Sequence, residues 1–234
     1  METHFDEELK VLKQKLLQMA DTAQAMIGLA VKSLTERSGE IVEEVLTMER
    51  SVNRMEVEIE DEVLRLLARR QPAARDLRFL VGLLKINNDL ERVADQACNI
   101  AGTVMYLLQD PPLNTPLIDI PRMAGLAQKM VKDSIEAFVN HDPALANEVC
   151  KHDDEVDWIN DQIFRVLLTH MMENPKSITR AVDLILISRN LERIADHATN
   201  IGEEVIFIEE GKNIKHHLAD AVRDTPSSEP KSVN

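Results

Sequence analysis

The block Leu90-Glu91-Arg92-Val93-Ala94-Asp95-Gln96-Ala97-Cys98-Asn99-Ile100 recurs 101 positions later as Leu191-Glu192-Arg193-Ile194-Ala195-Asp196-His197-Ala198-Thr199-Asn200-Ile201, with eight of the eleven positions identical. Within each copy the apolar residues fall at steps of three and four, the spacing of one face of a helix. Outward from the first copy, Leu77, Leu80, Val81, Leu84, Val104 and Leu108 keep the same step. No comparable run alternates with period two, as a strand requires.

Breakers divide the rest of the chain into segments of the same kind. Thr3 and the acids Asp6, Glu7 and Glu8 open a first helix that the spacing carries to Gly39. A second runs from Glu40 to about Arg70, and a third from Pro72 to Gln109, closed by Pro111-Pro112. Asp119 and Pro121 open a fourth. Asp142 and Pro143 open a fifth, Ser177 caps a sixth, and Gly211 ends it. A shift of 104 lays Met19, Ala20, Ala23 and Met26 over Met123, Ala124, Ala127 and Met130, so the two halves are copies. The expected fold is all-α: two tandem three-helix bundles, a duplicated domain of six long helices. Residues 1–110 form the first bundle, 111–120 a linker, 121–215 the second bundle and 216–234 a disordered tail.

Composition agrees with that class. Seven glycines and 3% aromatic residues are too few for a sandwich or barrel. The 27 basic and 41 acidic residues give a net charge of −14, which argues against nucleic acid and anionic lipid as primary ligands. Cys98 and Cys150 lack Cys-x-x-Cys spacing and read as two reduced, buried thiols. The acidic N-terminus does not read as a signal peptide. The longest apolar stretch, Phe79 to Leu84, is far short of the ~20 residues of a membrane span. A soluble, cytoplasmic protein is expected.

The repeated block also keeps polar residues: Glu91, Asp95 and Asn99, matched by Glu192, Asp196 and Asn200. At four-residue steps they form one stripe on the border of the apolar seam. Carboxylates four apart repel when both are ionised, so duplicated pairs invite a cation. Asp153 and Asp157 on the fifth helix form another pair, and their first-half counterparts are Glu49 and Asn53. Each half can therefore bring two acidic ladders onto neighbouring helices. Oxygen donors of this kind suit magnesium, manganese, iron or calcium. Against this stand a solvated acidic face, with Arg92 and Arg193 neutralising it through ion pairs, and inter-helix hydrogen bonding by Asn99 and Asn200. His197 reads as a surface histidine, and Met19, Met26, Met123 and Met130 as core.

An enzyme reading is a carboxylate-bridged metalloenzyme of a helical bundle. Ferritin-like di-iron bundles need Glu-x-x-His on two helices, and no histidine here has a glutamate three residues before it. Phosphate loops, Gly-x-Ser-x-Gly and His-Glu-x-x-His are missing from the sequence, and no nucleophile–base pair presents itself.

The duplicated block resembles the signature of the PhoU family, Leu-Glu-Arg-(Ile/Val)-x-Asp-x-x-x-Asn-Ile, in both copies, and the resemblance extends from about Phe5 to Gly211. It implies two three-helix bundles side by side and a non-enzymatic regulator without an organic cofactor. Such a protein modulates phosphate uptake and acts as a negative regulator of the phosphate-starvation response. The implied partners are the ATPase of the phosphate ABC transporter, a membrane-bound sensor histidine kinase and a second copy of the chain. Some members bind iron or zinc clusters through acidic motifs, which fall here on Glu91-Asp95, Asp153-Asp157 and Glu192-Asp196. The fourth motif departs from the pattern at Glu49-x-x-x-Asn53, which weakens a first-half metal site.

Overall fold

A computed structural model describes residues 4–70, 72–112 and 119–214. The expected cap at Thr3, the middle of the linker and the tail beyond residue 214 lie outside them. Six helices follow in order: α1 (His4–Glu36), α2 (Gly39–Arg70), α3 (Ala74–Leu107), α4 (Asp119–Asn140), α5 (Pro143–Glu173) and α6 (Ile178–Glu210). No strand occurs among the described residues. Among the described residues no helix is long and apolar enough to cross a membrane.

Several ends form as the sequence directs. The Asp142 carboxylate accepts from the N–H groups of Ala144 and Leu145, each at 3.0 Å, with Pro143 in the first turn of α5. Gly211 takes the left-handed conformation at φ 70° and closes α6. Two ends differ from expectation. α1 stops at Glu36, three residues before the expected end at Gly39, which instead begins α2, and Arg37 takes the left-handed conformation at φ 52°. Ser177 precedes α6 without capping it by its side chain. A 3₁₀ turn over Pro175–Ser177 leaves the Ser177 hydroxyl donating to Asn174 O at 2.6 Å.

Helices α1–α3 form one bundle and α4–α6 another, and the two lie side by side with α3 against α6 and α1 against α4. The α3–α6 seam is antiparallel: Gly82 meets Ile208, Lys85 meets Glu204 and Asp89 meets Asn200. Continuing that register brings Ala94 opposite Ala195, two fully buried alanines that the 101-residue repeat makes equivalent. The halves are thus related by an approximate twofold axis at this point. On the other seam Gln128 Nε2 donates to Gln24 O at 3.1 Å, and these two glutamines are also equivalent under the repeat.

The cores of the bundles are continuous across both seams. Phe79 and Phe138 stack across the halves with ring centroids 5.7 Å apart. Met19, Met26, Met123 and Met130 are all buried, as core residues. The cysteines are free but only half-buried, a departure from the buried thiols expected.

Candidate functional site: two acidic grooves

The acidic ladders lie along the grooves α2/α3 and α5/α6, because a stripe at four-residue steps follows the edge of each helix–helix contact. In the second bundle, Asp153 and Asp157 on α5 face Glu192 and Asp196 on α6 closely enough to perturb one another. Burial, then the charges of Asp196 and Asp157, push the Asp153 carboxyl up to about 6. Asp157, Glu192 and Asp196 are also shifted upward, each first by burial and then by a neighbouring aspartate. Asp153 Oδ1 and Thr199 Oγ1 are buried side by side there, and the Thr199 hydroxyl partly offsets the rise at Asp153. Asp157 and Glu192 also border an open groove of about 460 Å³ with Phe164 and Ile185.

The first bundle is similar in plan and partly neutralised. Arg92 Nη1 donates to Asp95 Oδ2 at 3.3 Å, and Arg92 Nε stands 3.3 Å from Glu91 Oε2. Burial, Asp95 and Glu56 nevertheless raise the Glu91 carboxyl. Glu49 lies against Cys98, whose thiol is pushed up to about 12 by burial and by the charges of Glu49 and Asp95. Burial, then the charges of Glu203 and Asp153, push the Cys150 thiol up to about 11. Both thiols are therefore protonated at neutral pH and poor nucleophiles as they stand.

The two asparagines of the stripe part company. Asn99 is exposed, whereas Asn200 turns away from α5 and donates to Asp89 Oδ1 at 3.3 Å across the bundle seam. His197 Nδ1 meets the same oxygen at 2.9 Å, so this histidine is an inter-bundle contact and not a free surface residue. Sequence spacing missed this cluster, although a signal existed: the repeat replaces Asp89 and His197 by the neutral Asn190 and Gln96 on the other side.

The donors are carboxylate oxygens, the type a hard cation takes, with Asp153 and Glu192 partly buried and Asp157 and Asp196 exposed. As the side chains stand, no group of three or more His, Cys, Asp or Glu residues among those described is arranged to hold a metal ion.

Comparison with known proteins bears on both halves. The PhoU domain model matches residues 16–104 and 120–205. The chain is 39% identical over 209 residues to the phosphate-specific transport system accessory protein PhoU homolog of Aquifex aeolicus, covering 89% of this chain and 94% of that one. It is 35% identical over 212 residues to the homolog from Pseudomonas aeruginosa, covering 91% and 88%. The crystal structure of PhoU from Pseudomonas aeruginosa superposes with a TM-score of 0.87 at 35% identity, over 89% of this chain and all of that one. The phosphate transport system regulatory protein PhoU from Streptococcus pneumoniae gives 0.82 at 27% identity, over 90% of this chain and 99% of that one. With the duplicated block, the six-helix architecture and these matches spanning both bundles, this chain belongs to the PhoU family.

Proposed function

We propose that this protein is an accessory regulator of phosphate-specific transport that represses the phosphate-starvation response. It acts by contact with the transporter ATPase and a membrane-bound sensor histidine kinase, as a cytoplasmic homodimer and without turnover of its own. The observation that carries this reading is the match of both bundles, over 89% of the chain, to accessory proteins of that transport system. Deleting the gene tests it: phosphate-starvation genes should be expressed with phosphate plentiful, and unchanged repression would remove the assignment. Purified protein should hydrolyse neither ATP nor phosphoesters.

The acidic grooves are proposed to hold cations. Asp153, Asp157, Glu192 and Asp196 would hold one in the second bundle; Glu49, Glu91 and Asp95, with Asn99, would form the weaker counterpart. Iron, zinc, manganese and magnesium are the candidates. A bound cation would supply positive charge between α5 and α6 where four carboxyls now oppose one another. Loading requires these side chains to turn toward a common point. Elemental analysis of Asp196→Asn against wild type tests the assignment, since equal metal content in both would remove it and leave the regulatory role intact.

A further inference from the structure

The approximate twofold gives the molecule two equivalent junctions, one at each end of the α3–α6 seam, where both bundles meet. Arg37, Leu107 and Arg180 line one of them. The repeat maps these onto His141, Ile208 and Phe79, which line the other. The first junction is filled by the start of the linker. Arg180 Nη1 donates to Pro111 O at 2.7 Å and Arg37 Nη2 to Asp110 O at 2.6 Å, and a cavity of only about 130 Å³ is left beside Pro111 and Pro112. The second junction keeps an open cavity of about 450 Å³.

That cavity has a basic rim in a chain whose net charge is −14. Lys10 and Lys13 of α1, Arg75 of α3 and His141 converge on it. Lys10 and Arg75 are exposed and enter no ion pair among the described residues. Lys13 is drawn inward: its Nζ is 2.9 Å from His141 Nε2 and 5.3 Å from the centre of the Phe79 ring. Burial lowers its proton affinity, a cost that an anion beside it would offset. The α3 N-terminus opens on the same rim, and its N-cap residue, Ala73, offers no side-chain acceptor. The first-turn N–H groups and the positive end of the helix dipole are therefore available to an anion. Two acids also face the cavity. Glu209 is engaged by His141 Nδ1, and Asp76 sits in the first turn of α3. The floor is apolar, from Leu9, Phe79 and Ile208.

We propose that this junction binds a small organic phosphate of the nucleoside monophosphate class. Its phosphate takes Lys10, Lys13, Arg75 and the α3 N-terminus, and its ring system covers the apolar floor. Inorganic phosphate alone would satisfy the rim and leave the floor and most of the volume unused. Because the site draws on α1 and α3 from one bundle and α6 and His141 from the other, occupancy would tie the bundles together at the end that the linker leaves open. The proposal stands apart from the regulatory reading, and its test needs no partner protein.

Calorimetric titration of the full chain in chelator, with AMP, adenosine and inorganic phosphate in turn, decides it. AMP should bind saturably at one site per chain, with each fragment weaker by about tenfold or more. Lys10→Glu and Arg75→Glu should each weaken AMP by about tenfold. Lys132→Glu, the same charge change at an exposed position of α4, should stay within about twofold of wild type. Absence of saturable AMP binding at about 1 mM, equal affinity in Arg75→Glu and wild type, or phosphate binding as tightly as AMP would each overturn the proposal. Lys10 and Arg75 are exposed, so matched thermal melts of the variants keep any loss of binding attributable to the site.

Discussion

Arg37 and His141 hold the same corner in the two copies of the fold, each at positive φ, 52° and 55°, between the first and second helix of its bundle. Each reaches the end of its bundle's third helix with a different chemistry. Arg37 Nη2 donates to Leu107 O at 3.1 Å and on to Asp110 O at 2.6 Å, covering carbonyls that the helix leaves open. His141 meets the Glu209 carboxylate instead. Arg37→Ala should destabilise the protein by about 1–3 kcal/mol, the range for charge-assisted bonds to backbone. His141→Ala, at a more exposed pair, should cost under about 1 kcal/mol. Arg37→Gly should recover about 1 kcal/mol relative to Arg37→Ala by removing the left-handed penalty. Urea melts of the three variants check the ranking, and equal losses for the two alanine variants would show that Arg37 does not secure the end of α3.

Lys85 Nζ lies 3.1 Å from both carboxylate oxygens of Glu204, a side chain only 1% exposed. Lys85 is one of the groups that hold this buried carboxylate. Lys85→Met should cost about 1–3 kcal/mol, since the buried carboxylate loses one of its partners while the lysine itself is half-exposed. The Lys85→Met/Glu204→Gln double variant should lose less than the sum of the singles, with a coupling of about 1–3 kcal/mol. A double-mutant cycle by chemical denaturation measures it. Additive losses would mean that the ammonium does nothing for the carboxylate.

The six helices were legible because their apolar period and their breakers are local, and Asp142 and Gly211 do what their chemistry suggests. Arg37 was not, because nothing in the sequence marks an arginine as the left-handed residue when Gly39 stands two positions on. The acidic ladders were legible as duplicated carboxylates, and the structure sets Asp153 beside Asp196 in one groove. What sequence spacing could not show is the seam. Lys85 and Glu204 are 119 residues apart, and Asp89 and His197 are 108 apart, so no periodicity connects them. Only the mismatch between the copies, Asp89 against Asn190 and His197 against Gln96, hinted that one side of the seam is specialised.

Close approach at that seam depends on a glycine. A Cβ at residue 82 would fall 2.5 Å from both Cδ1 and Cγ1 of Ile208. Gly82→Ala should therefore destabilise by about 1–3 kcal/mol, overpacking outweighing the better helix propensity. In an Ile208→Ala background the obstacle is gone, and the same substitution should become stabilising by up to about 1 kcal/mol. This inversion of sign, read from thermal or urea melts, is specific to the contact. Destabilisation of equal size in both backgrounds would place the cost elsewhere.

The acidic groove of the second bundle should leave its mark on the pH dependence of stability. The Asp153 carboxyl lies at about 6 in the folded protein against 3.8 for the ordinary group, so folding favours its protonated form. Between those two values the native state binds more protons than the unfolded chain, and stability falls as pH rises through the window. The contribution is fully present below about pH 4 and lost above about pH 6. Asp157, Glu192 and Asp196 shift in the same direction and add to the same slope. In chelator, Asp153→Asn should therefore be more stable than wild type at pH 7–8 and lose that advantage below about pH 5. Solvent screening of a half-exposed group keeps the gain to about 1 kcal/mol or less. Manganese or iron should reverse the order at neutral pH if the groove takes a cation, because wild type then gains stability that Asp153→Asn cannot. Thermal melts across pH 4–8, with chelator and with metal, separate these effects. A pH-independent difference between the two proteins would remove the mutual repulsion on which the groove's cation preference rests.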